Sequence, residues 1–351
     1  MVALALVNIF SKNGFCASFL TNFFVIYLTT FFVKNLIGTY KKMILIFSLL
    51  GILFSGIEIL ARPFAHNYNN SLMFFSLNFW TSSQTLPEFF ISVWAGLYVT
   101  ILAFIAVQFV YRYSCLMNTN VMELFDGFGG VLLMMYPILP GVIYSCVFYL
   151  FCLPDNISDS YVQDEIFENY GLIIKEIPRF IALTYNLNET IRWNSIYFFL
   201  SAVSLISIHY AIMFYFGLKM HFNMKQQLLK FSSKNRKLQR QFFKALIFQS
   251  IGPTVLLVLP AVPVLLCPVV ASFFHFFFSK FSWQTGWLYS FICFYPPFDS
   301  ISFLMIVTEY RNIIHERYWS LLSGSRTEQT KGDSQQINKE NQRRHVKTIM
   351  N

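Results

Sequence analysis

The sequence predicts an all-α membrane protein, a bundle of seven transmembrane helices with the N-terminus outside and the C-terminus inside. Of its 351 residues, 56% are hydrophobic and only 12% are charged, whereas about 25% of residues in soluble domains are charged. Seven stretches are nearly free of charge and long enough to cross a bilayer, which takes about 20 residues. Lys and Arg gather on one side of these stretches, which sets the orientation.

The predicted spans are residues 14–33, 43–60, 89–110, 128–153, 193–218, 245–270 and 283–308. With the N-terminus outside, twenty of the 26 Lys and Arg fall in cytoplasmic segments. The three N-x-S/T acceptor sites, Asn69, Asn156 and Asn188, all fall outside, where glycosylation takes place. The charge bias and the acceptor sites therefore predict the same topology.

The third inner loop, residues 219–244 with its borders, carries eight basic residues and no acid. It leads directly into the sixth span, which Pro253, Pro260 and Pro263 interrupt. Each proline removes a backbone donor and bends a helix that lipid does not allow to unravel. The sequence thus joins a loop that can contact a cytosolic partner to a span that can bend.

The other polar segments are an outer cap and a C-terminal region. Residues 154–192 hold seven acids against three basic residues and predict a hydrophilic cap over the outer opening. Apolar side chains recur at helical spacing over 310–322, which predicts a helix on the inner membrane surface. Residues 323–351 contain no aromatic side chain and predict a disordered cytoplasmic tail.

The spans offer little for catalysis. Their only acids are Glu58 and Asp299, with His209 the only clear histidine, and there is no HExxH or nucleophile-elbow pattern. The six cysteines show neither CxxC spacing nor a Cys/His cluster, so no metal site or other cofactor is predicted. Topology accounts for the net charge of +9 without a nucleic-acid partner. We therefore expect a non-enzyme embedded in the lipid bilayer.

Two acidic positions attract attention because charges within a membrane are costly and often functional. Glu58 has Arg62 four residues on, a spacing that lets the two pair along one helix face. Asp299 follows Tyr295-Pro296-Pro297-Phe298, where the prolines break helical bonding. We expect Asp299 to act as a switch element.

At the inner end of the third span stands Phe109-Val110-Tyr111-Arg112-Tyr113. An interfacial anchor and a partner-binding arginine are equally compatible with this composition. Together with other segments, it makes the chain resemble the nematode seven-transmembrane chemoreceptors of serpentine receptor class r, the Str group. The matching pieces, in order, are 38–48, Arg62-Pro63 with His66, 109–113, 238–253, and Tyr295-Pro296 with Asp299 followed by Tyr310-Arg311.

This resemblance implies a chemosensory, odorant-type G-protein-coupled receptor of rhodopsin-like architecture, in the plasma membrane and usually the ciliary membrane of a sensory neuron. Its partners would be a small-molecule odorant or other chemical ligand and a heterotrimeric G protein, and homo- or hetero-oligomers are compatible with it. The residues expected at the G protein are Arg112, Tyr113, Lys237, Arg240 and Lys244, and the expected switch or kink residues are Pro253, Pro296 and Asp299. Helix depth predicts a ligand pocket lined by Trp94, Tyr98, Tyr197, Tyr289 and Phe291.

The sequence departs from the family and rhodopsin-like patterns in four places. Tyr111 replaces the acid that usually precedes the arginine, and Ser300 replaces a proline after Asp299. Glu309 stands where a base or another acid often precedes the aromatic residue and Arg311. The outer start of the third span has no cysteine for the outer-loop disulfide that is common in rhodopsin-like receptors. Two alternatives stay open: a seven-span ligand-gated channel subunit with its N-terminus inside, and a receptor-like protein that no longer couples.

Overall fold

The computed structural model describes residues 2–33, 38–78, 83–117, 128–186, 188, 190–229, 232–273 and 281–317. Within these ranges, six helices are long and apolar enough to cross a membrane, and a bent helix pair near the C-terminus makes a seventh span if it is counted as one. The predicted helical membrane bundle is therefore confirmed.

The spans are broken where proline or tight packing interferes with regular helical bonding. The fourth span turns at Tyr136-Pro137, the sixth passes through a π-helical turn at Thr254–Val258 directly after Pro253, and the seventh starts as the 3₁₀ helix Thr285–Phe294. In chain order, the α-helices of the spans are Val2–Phe31, Gly38–Ala61, Thr85–Met117, Phe128–Met135 with Ile138–Phe151, Trp193–Leu228, Ser233–Pro253 with Leu259–Phe273, and Tyr295–Ile306.

Several helices run past the predicted span limits on the inner side. The third ends at Met117 and the fifth at Leu228, because hydropathy marks the edge of the apolar stretch and not the end of the helix. After the seventh span, helix Thr308–Arg317 turns by 85° where the sequence predicts a surface helix. The remainder of the predicted surface helix, residues 318–322, and the predicted tail, residues 323–351, lie outside the described residues.

A four-stranded antiparallel sheet, which the sequence analysis did not predict, joins the three outer loops. Strands β1 (Pro63–Tyr68) and β2 (Ser71–Ser76) form a hairpin after the second span, with Pro63 opposite Ser76. Strand β3 (Arg179–Leu183) pairs with β2, and β4 (Ser282–Trp283) pairs with β1, giving the order β3-β2-β1-β4. One sheet thus ties the outer loops together.

Side chains alternate between the two faces of this sheet, as the strand period requires. Ala65, Leu72, Phe74, Phe180 and Ala182 belong to the core of the helix bundle. Phe64, Met73, Phe75 and Ile181 form a second cluster with residues of the outer loop between spans four and five, among them Val162 and Ile166. We call strands β1 to β3 with this second cluster the lid.

The outer layer of the lid is the helix Asn156–Tyr170, which starts with a capping box between Asp155 and Ser158 and ends at Gly171 in the left-handed conformation (φ 67°). Arg179 on β3 donates to both carboxylate oxygens of Asp159, at 2.7 and 2.6 Å, and both side chains are buried. None of the six cysteines, all of which lie in the described ranges, forms a disulfide. Strand pairing and a buried ion pair therefore fix the outer loop without a disulfide.

The predicted pairing of Glu58 with Arg62 is wrong. The helix ends at Ala61 and Arg62 adopts φ 39°, so the two side chains no longer share a helix face. Glu58 is 5% exposed, and no described ion pair contains it.

Candidate functional site

A cavity lies below β2, in the outer half of the bundle, among spans three to six. Its free volume is about 40 Å³, and its wall is almost entirely apolar or aromatic, which suits an uncharged ligand. The lining residues are Phe74, Trp94, Ala95, Tyr98, Val99, Tyr144, Phe148, Ala202, Ile206, Ala261 and Leu265. We call this space the outer cavity.

Of the five residues predicted to line a ligand pocket, two line the outer cavity and two do not, and the side chain of the fifth is not described. Trp94 and Tyr98 line the outer cavity and are buried. Tyr197 and Phe291 are 49% and 44% exposed and do not line it. The backbone of Tyr289 lies in the 3₁₀ helix Thr285–Phe294, while its side chain is outside the described ones.

Sequence reasoning missed three aromatic residues of the cavity wall. Phe74 comes from the unpredicted strand β2, and Tyr144 and Phe148 come from the fourth span. The Phe148 ring centroid is 5.3 Å from that of Phe74, so the lid and the bundle contact each other at the cavity. The short apolar run from Leu72 to Phe75 has no polar alternation that would mark a strand, so no clear signal marked Phe74.

At the inner end of the bundle, Arg112 is held between two aromatic rings. Its guanidinium carbon lies 3.3 Å from the ring centroid of Tyr40 on span two and 4.1 Å from that of Phe242 on span six. Arg112 is 3% exposed, and Nε and Nη2 have no hydrogen-bond partner among the described residues. Cation–π contact therefore replaces an ion pair. We call Tyr40, Arg112 and Phe242 the arginine clamp.

The residues beside Arg112 support the clamp. Tyr111, in place of the usual acid, is fully buried, and its ring is stacked parallel to that of Tyr40 with centroids 6.3 Å apart. Tyr113 packs on Phe216 of span five, at 5.1 Å between centroids. The Lys219 ammonium lies 5.8 Å from the Tyr113 ring. An aromatic cluster therefore connects spans two, three, five and six.

The basic residues predicted at the G protein lie together on one helix. Lys237, Arg240 and Lys244 are exposed on helix Ser233–Pro253, and with Arg236 and Gln241 they line one groove. Their spacing of three and four places them on one helix face. Phe242 of the same helix is 3% exposed and points into the bundle, so any movement of the basic face also moves the clamp.

Asp299 lies between the clamp and the centre of the bundle. Its Oδ2 accepts a hydrogen bond from Gln249 Nε2 at 3.3 Å, and its Oδ1 has no partner in the described part of the chain. The neighbouring Ser300 donates to Asn22 Oδ1 at 2.8 Å. A small cavity of about 10 Å³ contacts both Asp299 and Tyr40, so one space adjoins the buried acid and the clamp.

The predicted kink residues behave differently from one another. Pro253 ends a regular helix and is followed by the π-helical turn, where Thr254 Oγ1 donates to Ser250 O at 2.6 Å and lies 2.9 Å from Tyr210 Oη on span five. Pro296 lies in the first turn of helix Tyr295–Ile306, where a missing donor costs little. The structural break in span six is therefore at Pro253, whereas Pro296 starts a helix.

The three predicted glycosylation acceptors differ in their exposure. Asn156 and Asn188 are exposed. Asn69 is partly buried in the β1–β2 turn, with φ 46°, and its Oδ1 accepts from Phe281 N at 2.8 Å. N-glycosylation attaches the glycan to Nδ2 and would leave this Oδ1 acceptor in place.

The fold and these sites define a multi-pass helical membrane protein of the receptor class, with an apolar cavity in the outer half of the bundle and a buried arginine at its inner end. The family model for the serpentine type 7TM GPCR chemoreceptor Str matches residues 7–315, and the chain belongs to that family. It is 37% identical to the G-protein coupled receptor str-33 of Caenorhabditis elegans over 325 residues, which cover 91% of this chain and 92% of the relative.

Two further relatives carry the name serpentine receptor class r-10. The one from Caenorhabditis elegans is 26% identical over 80% of this chain and 81% of its own length, and the one from Caenorhabditis briggsae is 24% identical over 89% and 90%. The resemblance stated from the sequence is confirmed, and the family is one of chemosensory receptors, not of enzymes.

Proposed function

We propose that the chain binds a small apolar molecule in the outer cavity and activates a heterotrimeric G protein through Arg112. The observation that carries this proposal is the arginine clamp. A guanidinium buried without an ionic partner is unfavourable, so the resting state holds a cation that an intracellular partner can bind once the rings separate.

Span six connects the outer cavity with the arginine clamp. Ala261 and Leu265 line the outer cavity, Phe242 belongs to the clamp, and the π-helical turn Thr254–Val258 lies between them. π-helical turns distort the regular helix and are sites where it bends readily. A ligand that displaces the outer half of span six would bend it at this turn and move Phe242 away from Arg112.

The released Arg112 would bind the C-terminal helix of the G protein α subunit. The guanidinium can donate to its carbonyl and carboxylate groups. Lys237, Arg240 and Lys244 would move with Phe242 and attract acidic residues of the same partner. The ligand shifts this equilibrium only as far as it binds the open state more tightly than the closed one. We place this activity in the plasma membrane, at the cilium of a chemosensory neuron.

The test is a screen of volatile and other small apolar compounds in cells that express the chain with a promiscuous G protein, run beside accessibility of an N-terminal tag on intact cells. We expect an outside tag and a response that Arg112→Ala abolishes at unchanged surface expression. Lys225→Ala, which removes an exposed inner charge, is the matched control and should respond normally. An inside tag, a normal Arg112→Ala response, or a current that persists without G protein would contradict the proposal.

A further inference from the structure

The lid closes the outer cavity toward water. Every residue of β2 and β3 and all but the last of β1 are buried. Phe74 of β2 lines the cavity with 5% of its surface exposed. The second hydrophobic cluster covers the opposite face of the sheet. A ligand entering from outside would have to separate two packed layers.

The side wall of the cavity is different. Nine of the eleven lining residues are buried, and the two that are partly exposed are Ile206 and Leu265. Ile206 is on span five and Leu265 is on the outer half of span six. Both lie within apolar spans, where the surroundings are lipid and not water.

The contact between these two spans is weak at this level. The described hydrogen bond between them joins Tyr210 and Thr254, which lie nearer the inner side than the cavity. At the cavity each span also contributes an alanine to the wall. Span five has Ala202 one helical turn from Ile206, and span six has Ala261 one turn from Leu265. Small side chains leave little to interlock, so a modest separation of the spans opens the wall.

We propose that ligands reach the outer cavity from the lipid bilayer, between spans five and six, past Ile206 and Leu265. This inference rests on the proposed ligand site. It adds the class of ligand that the site would bind, namely uncharged molecules that partition into membranes. Ile206 and Leu265 act as the gate of this side portal and limit the size of what enters. In this state the cavity holds only about 40 Å³. A ligand therefore enters only as span six moves outward, so entry and that movement occur together.

The native Trp94 in the cavity wall reports on entry. A variant keeps Trp94 and replaces the other five tryptophans with Phe; it is purified and placed in phosphatidylcholine vesicles. Fluorescence is quenched with 1-bromohexane, which partitions into lipid, and with acrylamide, which stays in water. Should the five substitutions impair folding, the Trp94 signal is obtained as the difference between the whole chain and Trp94→Phe.

We expect Ile206→Ala and Leu265→Ala to raise bromohexane quenching of Trp94 by about twofold, because each truncation opens space at the portal. Leu200→Ala and Leu266→Ala remove the same kind of side chain from lipid-facing positions that are 59% and 44% exposed and do not line the cavity, and should change nothing. Acrylamide should quench Trp94 far less than it quenches a single-tryptophan variant that keeps the exposed Trp193.

Equal bromohexane quenching in portal and control variants would overturn the proposal, as would acrylamide quenching of Trp94 as strong as that of Trp193. The assay contains neither G protein nor agonist. A portal effect without any cellular response would therefore reject the proposed function and retain the entry route. A cellular response without a portal effect would reject the entry route alone.

Discussion

The guanidinium of Arg112 lies on the ring of Tyr40, with 3.3 Å between the guanidinium carbon and the ring centroid. The two residues are 72 positions apart and belong to different spans. Phe242 closes the other side at 4.1 Å. In this chain the aromatic rings of the clamp take the place that an ion pair would fill, which accounts for Tyr111 where the usual acid is missing.

Substitution of Tyr40 tests the clamp. A desolvated cation–π contact contributes about 2 kcal/mol, so Tyr40→Leu should raise ligand-independent G protein activation by up to roughly 30-fold. Tyr40→Phe keeps the ring and should stay close to wild type. The measurement is basal reporter activity normalised to surface expression. A Tyr40→Leu variant with lower basal activity would show that the ring supports the active state instead.

Asp299 carries a buried carboxylate oxygen with no described partner. Asp299→Asn keeps the shape and removes a buried charge, so we expect the ligand-free protein to gain about 1 to 3 kcal/mol of stability. Gln249→Leu removes the donor that Asp299 has and should lower stability. Thermal unfolding of the detergent-purified protein distinguishes them; a loss of stability in Asp299→Asn would mean that the charge is compensated.

The close approach of spans three and four depends on two glycines. A Cβ at Gly96 would lie 2.5 Å from the carbonyl oxygen of Gly141, and one at Gly141 would lie 2.8 Å from the carbonyl oxygen of Gly96. Backbone atoms cannot move aside cheaply, so Gly141→Ala should cost about 1 to 3 kcal/mol and reduce surface expression. Gly38→Ala, with no atom within 4 Å, is the control and should express normally.

The lid should weaken in acid because of His66. Burial lowers the pKa of His66, and the nearby Glu165 carboxylate opposes the shift without cancelling it. Its Nδ1 lies 3.0 Å from Tyr170 Oη and its Nε2 3.4 Å from Glu165 Oε1. The folded protein then binds fewer protons at His66 than the unfolded chain. Above the ordinary histidine pKa of about 6.5, the contribution of His66 to the free energy of unfolding is fully present. As the pH falls below that value, protons bind the unfolded chain preferentially and this contribution is lost.

We therefore expect the melting temperature of the purified protein to drop between about pH 7 and about pH 5.5, and His66→Gln to flatten that part of the profile. Asn156→Gln, at an exposed position on the outer loop between spans four and five, should keep the wild-type slope. An identical slope in His66→Gln would assign the pH dependence to other groups.

Hydropathy and charge were enough to predict the helical membrane bundle, because lipid forces long apolar helices and leaves Lys and Arg at the inner ends. The family was recognised from short matching segments such as 109–113 and 238–253. The sheet was missed because β1 contains His66 and Asn67 between apolar residues, and because the pairs β2–β3 and β1–β4 join segments that are far apart in the chain. Strand register of this kind has no local signal.

For some candidate residues the sequence predicted the depth in the membrane, but it did not predict which side chains they contact. Trp94 and Tyr98 were found from depth along the third helix, whereas Tyr197 faces outward because helix rotation, not depth, decides which side a residue covers. With 42 Phe and 19 Tyr, aromatic side chains occupy every face. Arg112 was singled out from its place at the inner end of the third span together with the family resemblance, but nothing local to it indicated Tyr40 or Phe242.

Ligand-independent G protein activation by the double variant Tyr40→Leu/Arg112→Ala tests whether the clamp controls signalling through Arg112. If opening the clamp acts by releasing Arg112, the rise caused by Tyr40→Leu alone should disappear in the double variant at equal surface expression. A double variant as active as Tyr40→Leu would mean that activation does not pass through Arg112, and would contradict the mechanism proposed here.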